Sequence, residues 1–152
     1  MYKGKRIPIR PLDSEGNKRY AIFAVDFDGT VVDDCYPETG QAVPLAMETL
    51  KVLTLMHHKI VMYTMRSGKT LEPARLYYHN CGVPLYAINR LPGQGPTLEG
   101  SPKCYADYYI DDRNIGTGII KYPGFKKPCV DWVQIRKLLK KAGLLPKSLP
   151  LT

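Results

Sequence analysis

Several features that define other classes of protein are missing from this sequence. Its four cysteines are far apart and form no Cys-x-x-Cys pair, which argues against a zinc knuckle or a dithiol redox site. No apolar run approaches the roughly 18 residues of a membrane-spanning helix, and the first 20 residues are polar and basic where a signal peptide is apolar. We therefore expect a soluble, cytoplasmic protein with reduced thiols and no membrane partner.

Acidic residues are in the minority, because 22 lysines and arginines stand against 14 aspartates and glutamates and leave a net charge of +8. This balance favours an anionic partner, but it does not distinguish a phosphorylated small molecule from a nucleic acid. Residues 1–19 are rich in lysine and arginine, and their prolines oppose helix formation. We interpret them as a basic N-terminal arm, either solvated or in contact with phosphate or a partner.

The remaining sequence alternates apolar strands with amphipathic helices. Strands are predicted at residues 21–25, 59–63, 83–88, 108–110 and 118–122, and helices at 44–57, at 71–80 and after Asp131. Alternation of this kind implies parallel strands joined by right-handed crossovers. We predict an α/β fold, a three-layer α/β/α sandwich with a mainly parallel, Rossmann-like sheet over residues 20–145, followed by a C-terminal tail at residues 146–152.

The last helix has a clear amphipathic pattern, with Asp131 as its predicted N-cap. Helical spacing predicts an inward face and an outward face. The inward face consists of Trp132, Ile135, Leu138 and Leu139, and the outward face of Arg136, Lys137, Lys140 and Lys141.

Carboxylates follow two of the predicted strands at the point where each strand ends. Asp26 and Asp28 come after residues 21–25, with a glycine next to break the strand, and Asp111 and Asp112 come after residues 108–110. Ligands of open α/β sheets bind outside the carboxyl ends of the strands. We therefore expect these four carboxylates to meet in one crevice.

Such a cluster needs a counter-charge, since two like charges 4 Å apart repel by about 4 kcal/mol at an effective dielectric constant of about 20. Mg²⁺ suits it, because this hard cation prefers carboxylates, waters and phosphate oxygens, and the cluster contains no histidine or thiol. Thr64 follows the second strand, and Lys103 precedes the Asp111–Asp112 pair. A hydroxyl and a cation of this kind suit phosphoryl oxygens, so the set as a whole indicates phosphoryl transfer.

These residues resemble the four motifs of the haloacid dehalogenase (HAD) superfamily of phosphohydrolases, in order: Asp26-Phe27-Asp28-Gly29-Thr30, Thr64, Lys103 and Asp111-Asp112. The resemblance implies that Asp26 is the nucleophile and forms an aspartyl-phosphate. It implies that Asp28 is the general acid and base, and that Thr64 and Lys103 hold the phosphoryl group. It also implies Mg²⁺ bound by Asp26, the backbone carbonyl of Asp28, and the Asp111–Asp112 pair.

The surrounding sequence is similar to a group of small bacterial and phage HAD-like hydrolases without an assigned substrate. The stretches between Thr30 and Thr64 and between Thr64 and Lys103 are too short for the cap domain that many superfamily members carry. An open, capless site suits a bulky phosphorylated substrate, such as a nucleic-acid end, unless a second subunit of a homo-oligomer closes it. The capless phosphatase domain of polynucleotide kinase-phosphatase, which carries a similar Asp-Asp-Arg run, is the relevant comparison.

Arg66 and Arg113 are predicted substrate contacts, with a surface or structural ion pair as the alternative for each. The leading hypothesis is a magnesium-dependent phosphatase acting on a phosphomonoester. The runner-up is a nucleic-acid 3′-phosphatase, which the positive charge and the missing cap favour. A non-catalytic binding or structural protein that docks through its basic arm is the alternative from another class.

Overall fold

The computed structural model describes residues 20–92 and 102–152. The predicted basic arm, residues 1–19, lies outside the described residues, and so do residues 93–101.

A four-stranded sheet forms the centre of the described chain, with the strand order β3-β2-β1-β4. All of its neighbouring strands are parallel. The predicted α/β class with a mainly parallel sheet is thereby confirmed. The strands are β1 (Ile22–Val25), β2 (Lys59–Met62), β3 (Ala87–Ile88) and β4 (Tyr108–Ile110), and the helices are α1 (Ala46–Leu55), α2 (Leu71–Asn80) and α3 (Trp132–Lys141).

The two faces of the sheet are covered differently. Side chains alternate between the faces along a strand, so Phe23 faces one layer and Ile22 the other. Phe23 belongs to the large core cluster, which includes residues of all three helices, whereas Ile22 packs with Val61 and Cys104. On this second face, Leu91, Cys104 and Ala106 pack with the strand residues, and none of these three described residues lies in a helix.

Strand prediction was wrong in detail after α2. Only Ala87–Ile88 of the predicted strand at residues 83–88 pairs with the sheet. The predicted strand at residues 118–122 is reduced to β5 (Ile119–Ile120), which pairs antiparallel with an unpredicted strand, β6 (Cys129–Val130), in a separate ribbon. These strands are two residues long, so the surrounding chain determines them more than local propensity does.

α1 begins later than predicted, at Ala46, because Leu45 adopts a left-handed conformation with φ 68° and separates Pro44 from the helix. α1 also ends early, at Leu55, and His57 has a φ of 66° that ordinary helical backbone does not allow.

The Asp131 cap of α3 is confirmed, since the Asp131 carboxylate accepts hydrogen bonds from the backbone N–H groups of Val133 and Gln134. The predicted faces of α3 were wrong at two positions: Leu138 is 40% exposed and Arg136 is only 4% exposed. Arg136 is buried because its Nε donates to Thr49 Oγ1 at 2.7 Å and its Nη1 donates to the carbonyl of Pro150 at 2.7 Å.

Arg136 thereby joins α3 to α1 and to the predicted C-terminal tail. Leu149 in the tail also packs against the large core cluster.

Across residues 20–92 and 102–152, the structure contains no helix with the length and apolar character needed to span a membrane.

Candidate active site

The pairing of β1 with β4 brings the acidic strand ends together. Val25 is aligned with Ile110 in this parallel pair, and the next backbone N–H, that of Asp26, donates to the Ile110 carbonyl at 2.9 Å. Asp26 and Asp111 therefore leave the sheet side by side. Carboxylate oxygens of Asp26, Asp111 and Asp112 all lie within 4.8 Å of one another, so these strand ends meet as the sequence predicts.

Thr30 joins the two acidic segments. Its hydroxyl donates to Asp26 Oδ2 at 3.0 Å and accepts a hydrogen bond from the backbone N–H of Asp112 at 3.2 Å. Its carbonyl accepts a hydrogen bond from the buried indole Nε1 of Trp132 at 2.7 Å. The start of α3 therefore fixes Thr30, and Thr30 in turn fixes the relative positions of Asp26 and Asp112.

Gly29 provides the space that this arrangement needs. Its φ of +81° is in the region that favours glycine, and a Cβ at this position would lie 2.6 Å from Asp112 Oδ2. The glycine that breaks the strand in sequence is therefore required both by the backbone turn and by the close approach of Asp112.

The surroundings of the carboxylate cluster favour the protonated forms of Asp26 and Asp112. Burial, followed by the neighbouring Asp111 carboxylate, raises the pKa of Asp26 to about 8, although hydrogen bonds from the Phe27 N–H and Thr30 oppose this change. Burial and the contact with Asp111 also raise the pKa of Asp112. A bound cation would reverse these effects by favouring the ionised forms.

The donor set fits a hard divalent cation. All three candidate ligands are carboxylate oxygens within 4.8 Å of one another. Opposite ligands of an octahedral Mg²⁺ are about 4.2 Å apart, at about 2.1 Å from the ion on each side. A small inward movement would therefore bring these oxygens into ligand positions, and Mg²⁺ fits the residues present.

Asp28 lies apart from this carboxylate group and forms a bidentate ion pair with Arg66. Arg66 Nε donates to Asp28 Oδ2 and Arg66 Nη2 donates to Asp28 Oδ1, both at 2.7 Å. The Arg66 side chain is only 1% exposed, and the hydrogen bonds to Asp28 raise the pKa of its guanidinium. This is the structural ion pair that the sequence left open as one of two roles for Arg66.

The other N–H groups of Arg66 are also occupied. Nη1 donates to the carbonyls of Pro37 and Thr70, and Nη2 donates to the carbonyl of Glu38. All five N–H donors of the guanidinium therefore have a partner within the chain. In this arrangement the Arg66 guanidinium has no N–H left for a substrate, and it links the end of β1 to the segment at Pro37 and Glu38 and to the 3-10 turn that ends at Thr70, before α2.

Thr64 lines the cleft above these residues. Its Oγ1 accepts a hydrogen bond from the backbone N–H of Arg66 at 3.1 Å, and its own N–H donates to Asn89 Oδ1 at 2.7 Å. Asn89, which has a φ of 60° after β3, therefore fixes the turn that carries Thr64. The sequence analysis missed this role, although the position of Asn89 directly after a predicted strand was a signal that could have indicated it.

The acidic cluster forms part of a cleft of about 830 Å³. Tyr36, Tyr63 and Met65 contribute apolar surface to this cleft, and Arg113 and Lys127 contribute positive charge. Arg113 is exposed, which is compatible with its predicted contact to a substrate. All four predicted carboxylates line this cleft: Asp26, Asp28, Asp111 and Asp112.

Contacts with Asp33 and Asp34, which are distant in sequence, position Lys127 at the cleft. The buried Asp33 carboxylate accepts backbone hydrogen bonds from Lys126 at 2.6 Å and Lys127 at 3.2 Å. The Lys127 ammonium then pairs with Asp34 at 2.6 Å. The loop after β1 therefore holds the chain before β6 at the edge of the cleft.

Lys103 is not among the residues that line this cleft. It is exposed, and its ammonium lies 5.3 Å from the centre of the Tyr109 ring. Tyr109 in turn packs against Tyr63, which does line the cleft. Lys103 is therefore next to the Tyr109 ring, which contacts the Tyr63 ring of the cleft wall.

No protein-family model and no curated protein matches the chain. A solved structure does match, with a TM-score of 0.66 and 34% sequence identity, over 81% of this chain and 92% of the other. It is described as a conserved protein coded by a locus of Bacteroides thetaiotaomicron. The chain belongs to the family of this conserved protein. That description names no activity, so the comparison supports the family and the fold, and the chemistry has to be argued from the site.

Sequence patterns did not identify several residues of this site. Most of them hold the predicted site residues in position. Thr30 and Asn89 hold the backbone and carboxylates of the site, and Tyr36 and Tyr63 form part of its walls. Thr30 belongs to the first motif, but its two-sided hydrogen bonding becomes apparent only when Asp112 is placed beside it.

Proposed function

We propose that the chain is a magnesium-dependent, HAD-like phosphatase that hydrolyses a phosphomonoester through an aspartyl-phosphate on Asp26. The observation that supports this most directly is the convergence of the Asp26, Asp111 and Asp112 carboxylates at the ends of β1 and β4. When bound to these residues, Mg²⁺ would neutralise their charge and polarise the phosphoryl oxygens.

Asp26 is the nucleophile in this proposal. One carboxylate oxygen attacks phosphorus, the bond from phosphorus to the ester oxygen breaks, and the electron pair leaves with the alkoxide. Water then attacks the aspartyl-phosphate and releases inorganic phosphate, which restores the Asp26 carboxylate. Thr30 supports this role, because its hydrogen bond to Oδ2 fixes the orientation of the carboxylate.

Asp28 is the proposed general acid, which gives a proton to the leaving alkoxide, and the general base, which takes one from the attacking water. Each of its oxygens accepts one hydrogen bond from Arg66, and a carboxylate oxygen has a second acceptor site that can serve the substrate. Arg66 keeps its bonds to the carbonyls of Pro37, Glu38 and Thr70. The guanidinium therefore stays in place when Asp28 exchanges a proton with the substrate.

Thr64 and Arg113 are the proposed contacts to the phosphoryl oxygens, since a hydroxyl and a guanidinium both donate to developing negative charge. The family resemblance assigns a related role to Lys103, whose ammonium lies 5.3 Å from the Tyr109 ring and is not among the groups that line the cleft. Its contribution is therefore proposed for the substrate-bound state.

Steady-state release of phosphate from p-nitrophenyl phosphate tests the proposal. The wild-type protein is measured with Mg²⁺ and with a chelator, beside Asp26→Asn. Glu72→Gln is the matched control, because Glu72 is an exposed acid that pairs with Arg75 away from the cleft. The proposal predicts magnesium-dependent turnover that Asp26→Asn loses and Glu72→Gln keeps. Equal turnover by the wild-type protein and Asp26→Asn contradicts it.

A further inference from the structure

The cleft is larger than the acidic cluster requires. Its volume of about 830 Å³ lies within the range of about 300–1,000 Å³ that holds ligands of drug size. The phosphate of a phosphomonoester would occupy the part next to Asp26, Asp111 and Asp112. The remaining space is therefore available to the organic part of the substrate.

The side chains beside this space are aromatic and apolar. Tyr36 is 59% exposed, Tyr63 is 37% exposed and Met65 is 99% exposed, and all three line the cleft. Large apolar side chains that remain exposed within one cleft indicate a binding surface. Two tyrosine rings provide platforms for a planar ring system, whereas a bare sugar phosphate has no apolar face of this size to place against them.

Both tyrosines are held in position before any ligand enters. The Arg66 guanidinium lies over two rings, 5.3 Å from the centre of Tyr36 and 5.1 Å from that of Phe27. The same guanidinium holds the carbonyls of Pro37 and Glu38, directly after Tyr36. The backbone N–H of Tyr63 donates to the Val25 carbonyl at 2.8 Å, and its ring packs against the Tyr109 ring with centroids 6.2 Å apart. Surfaces that are already ordered lose less entropy when a ligand binds.

Positive charge lies in the same cleft. Arg113 is exposed there, and its backbone N–H donates to Asp111 Oδ1 at 2.8 Å. Lys127 is a second cation that lines this cleft, and it forms an ion pair with Asp34. The cleft therefore combines an acidic, cation-binding part, aromatic platforms and cationic side chains.

We infer that the organic part of the substrate carries a nucleobase, so that the cleft takes a nucleoside phosphomonoester with the base against Tyr36 or Tyr63. The inference rests on the proposed function for the phosphate, and it adds the class of leaving group. A free mononucleotide and the phosphorylated end of a nucleic acid share this chemistry. The two substrates differ in that the nucleic acid has further nucleotides, with their backbone phosphates, which would extend beyond the cleft.

The test compares adenosine monophosphate with the matched ribose phosphate, which has the same sugar and phosphate ester but no base. The inference predicts a higher kcat/KM for the nucleotide by about 5- to 150-fold, which corresponds to about 1–3 kcal/mol at 1.4 kcal/mol per tenfold change. Tyr36→Ala and Tyr63→Ala should reduce this ratio, mainly through the KM of the nucleotide. Tyr36→Phe retains the ring and should retain the ratio.

Tyr86→Ala is the matched control, since Tyr86 is an exposed tyrosine that lies outside the cleft and packs against Lys59. It should leave the ratio unchanged. An oligonucleotide with a terminal phosphate, compared with the mononucleotide at several salt concentrations, separates the two sources. A nucleic-acid end is the source if the oligonucleotide has the higher kcat/KM and loses it steeply with salt.

Calorimetric binding to Asp26→Asn in Mg²⁺ separates a failure of this inference from a failure of the proposed function. Tighter binding of the nucleotide than of the ribose phosphate, with no hydrolysis of either by the wild-type protein, keeps the nucleobase site and overturns the phosphatase. Hydrolysis of both at equal kcat/KM, unaffected by Tyr36→Ala and Tyr63→Ala, keeps the phosphatase and overturns the nucleobase site.

Discussion

Arg66 holds Asp28 in a bidentate ion pair, with both N–O distances at 2.7 Å. The remaining N–H groups of its guanidinium donate to the carbonyls of Pro37, Glu38 and Thr70. The second acid of the first motif is therefore part of a buried network that also fixes the loop bearing Tyr36. One guanidinium thus links the proposed proton-transfer group to the aromatic wall of the cleft.

Replacement of Arg66 tests this network. Arg66→Ala leaves Asp28 without its buried partner, and we expect a loss of about 3–5 kcal/mol in the free energy of unfolding, measured with urea. Arg75→Ala is the control, because Arg75 forms an exposed ion pair with Glu72, and it should change stability little. Similar stability of Arg66→Ala and Arg75→Ala would contradict the structural role of the network.

Arg66→Lys asks whether the guanidinium also matters for activity. A lysine keeps the positive charge but cannot form a bidentate pair and hold three carbonyls at once. We expect lower kcat with a smaller change in the affinity for Mg²⁺, because the Asp26, Asp111 and Asp112 ligands remain. Activity equal to that of the wild-type protein would show that the position of Asp28 does not limit turnover.

The raised pKa of Asp26 predicts a pH-dependent effect of Mg²⁺ on stability. Without a cation, Asp26 favours the folded state at low pH, and this contribution is lost as the pH rises from 3.8 towards about 8. Mg²⁺ should offset the loss, so the increase in Tm should be larger at about pH 8.5 than at about pH 6. At about 100 times Kd the increase should reach about 5–10 °C.

Asp26→Asn provides the control for this measurement, because asparagine has no carboxyl group to titrate. The variant should show a smaller difference between the two pH values, and without a cation it should be more stable than the wild-type protein at the higher pH. Differential scanning fluorimetry measures both quantities. An increase in Tm that is the same at both pH values, or the same in Asp26→Asn, would argue against a cation at this cluster.

Gly29→Ala should damage the site locally. The new Cβ would lie 2.6 Å from Asp112 Oδ2 and would occupy a backbone conformation with φ +81°. We expect at least about a tenfold weaker affinity for Mg²⁺, which equals about 1.4 kcal/mol. Gly124→Ala is the matched control, because Gly124 also has a positive φ of +79° but has no atom within 4 Å of the added Cβ. Equal affinities of the two variants would show that Asp112 is not constrained by Gly29.

The acidic part of the site could be predicted because its signals are local. An apolar strand followed by Asp26, and another followed by Asp111, are visible in the sequence, and parallel pairing brings their ends to one edge of the sheet. Thr64 followed from the same rule. The length of α2, Leu71–Asn80, was also predicted correctly, since its helical signals and the following glycine lie within one short segment.

The supporting contacts could not be predicted in this way, because they join residues far apart in sequence. Arg136 was predicted on the outward face of the last helix, and for Arg66 a structural ion pair was only the alternative to a substrate contact. Both are buried because carbonyl, carboxylate and hydroxyl groups from distant segments surround them. Tyr36 and Tyr63 enter the cleft through such tertiary contacts too. Local pattern therefore predicts which carboxylates meet at the strand ends better than it predicts which distant groups hold them in place.

The most direct test of the central claim is to trap the phosphoryl group on the protein. Enzyme in excess is mixed with a radiolabelled phosphomonoester and Mg²⁺, quenched with acid within a single turnover, and mapped by proteolysis and mass spectrometry. The account predicts label on Asp26 in the wild-type protein, no label in a chelator, and no label on Asp26→Asn. Release of phosphate with no labelled protein at any time, or label on Asp26→Asn, would contradict it.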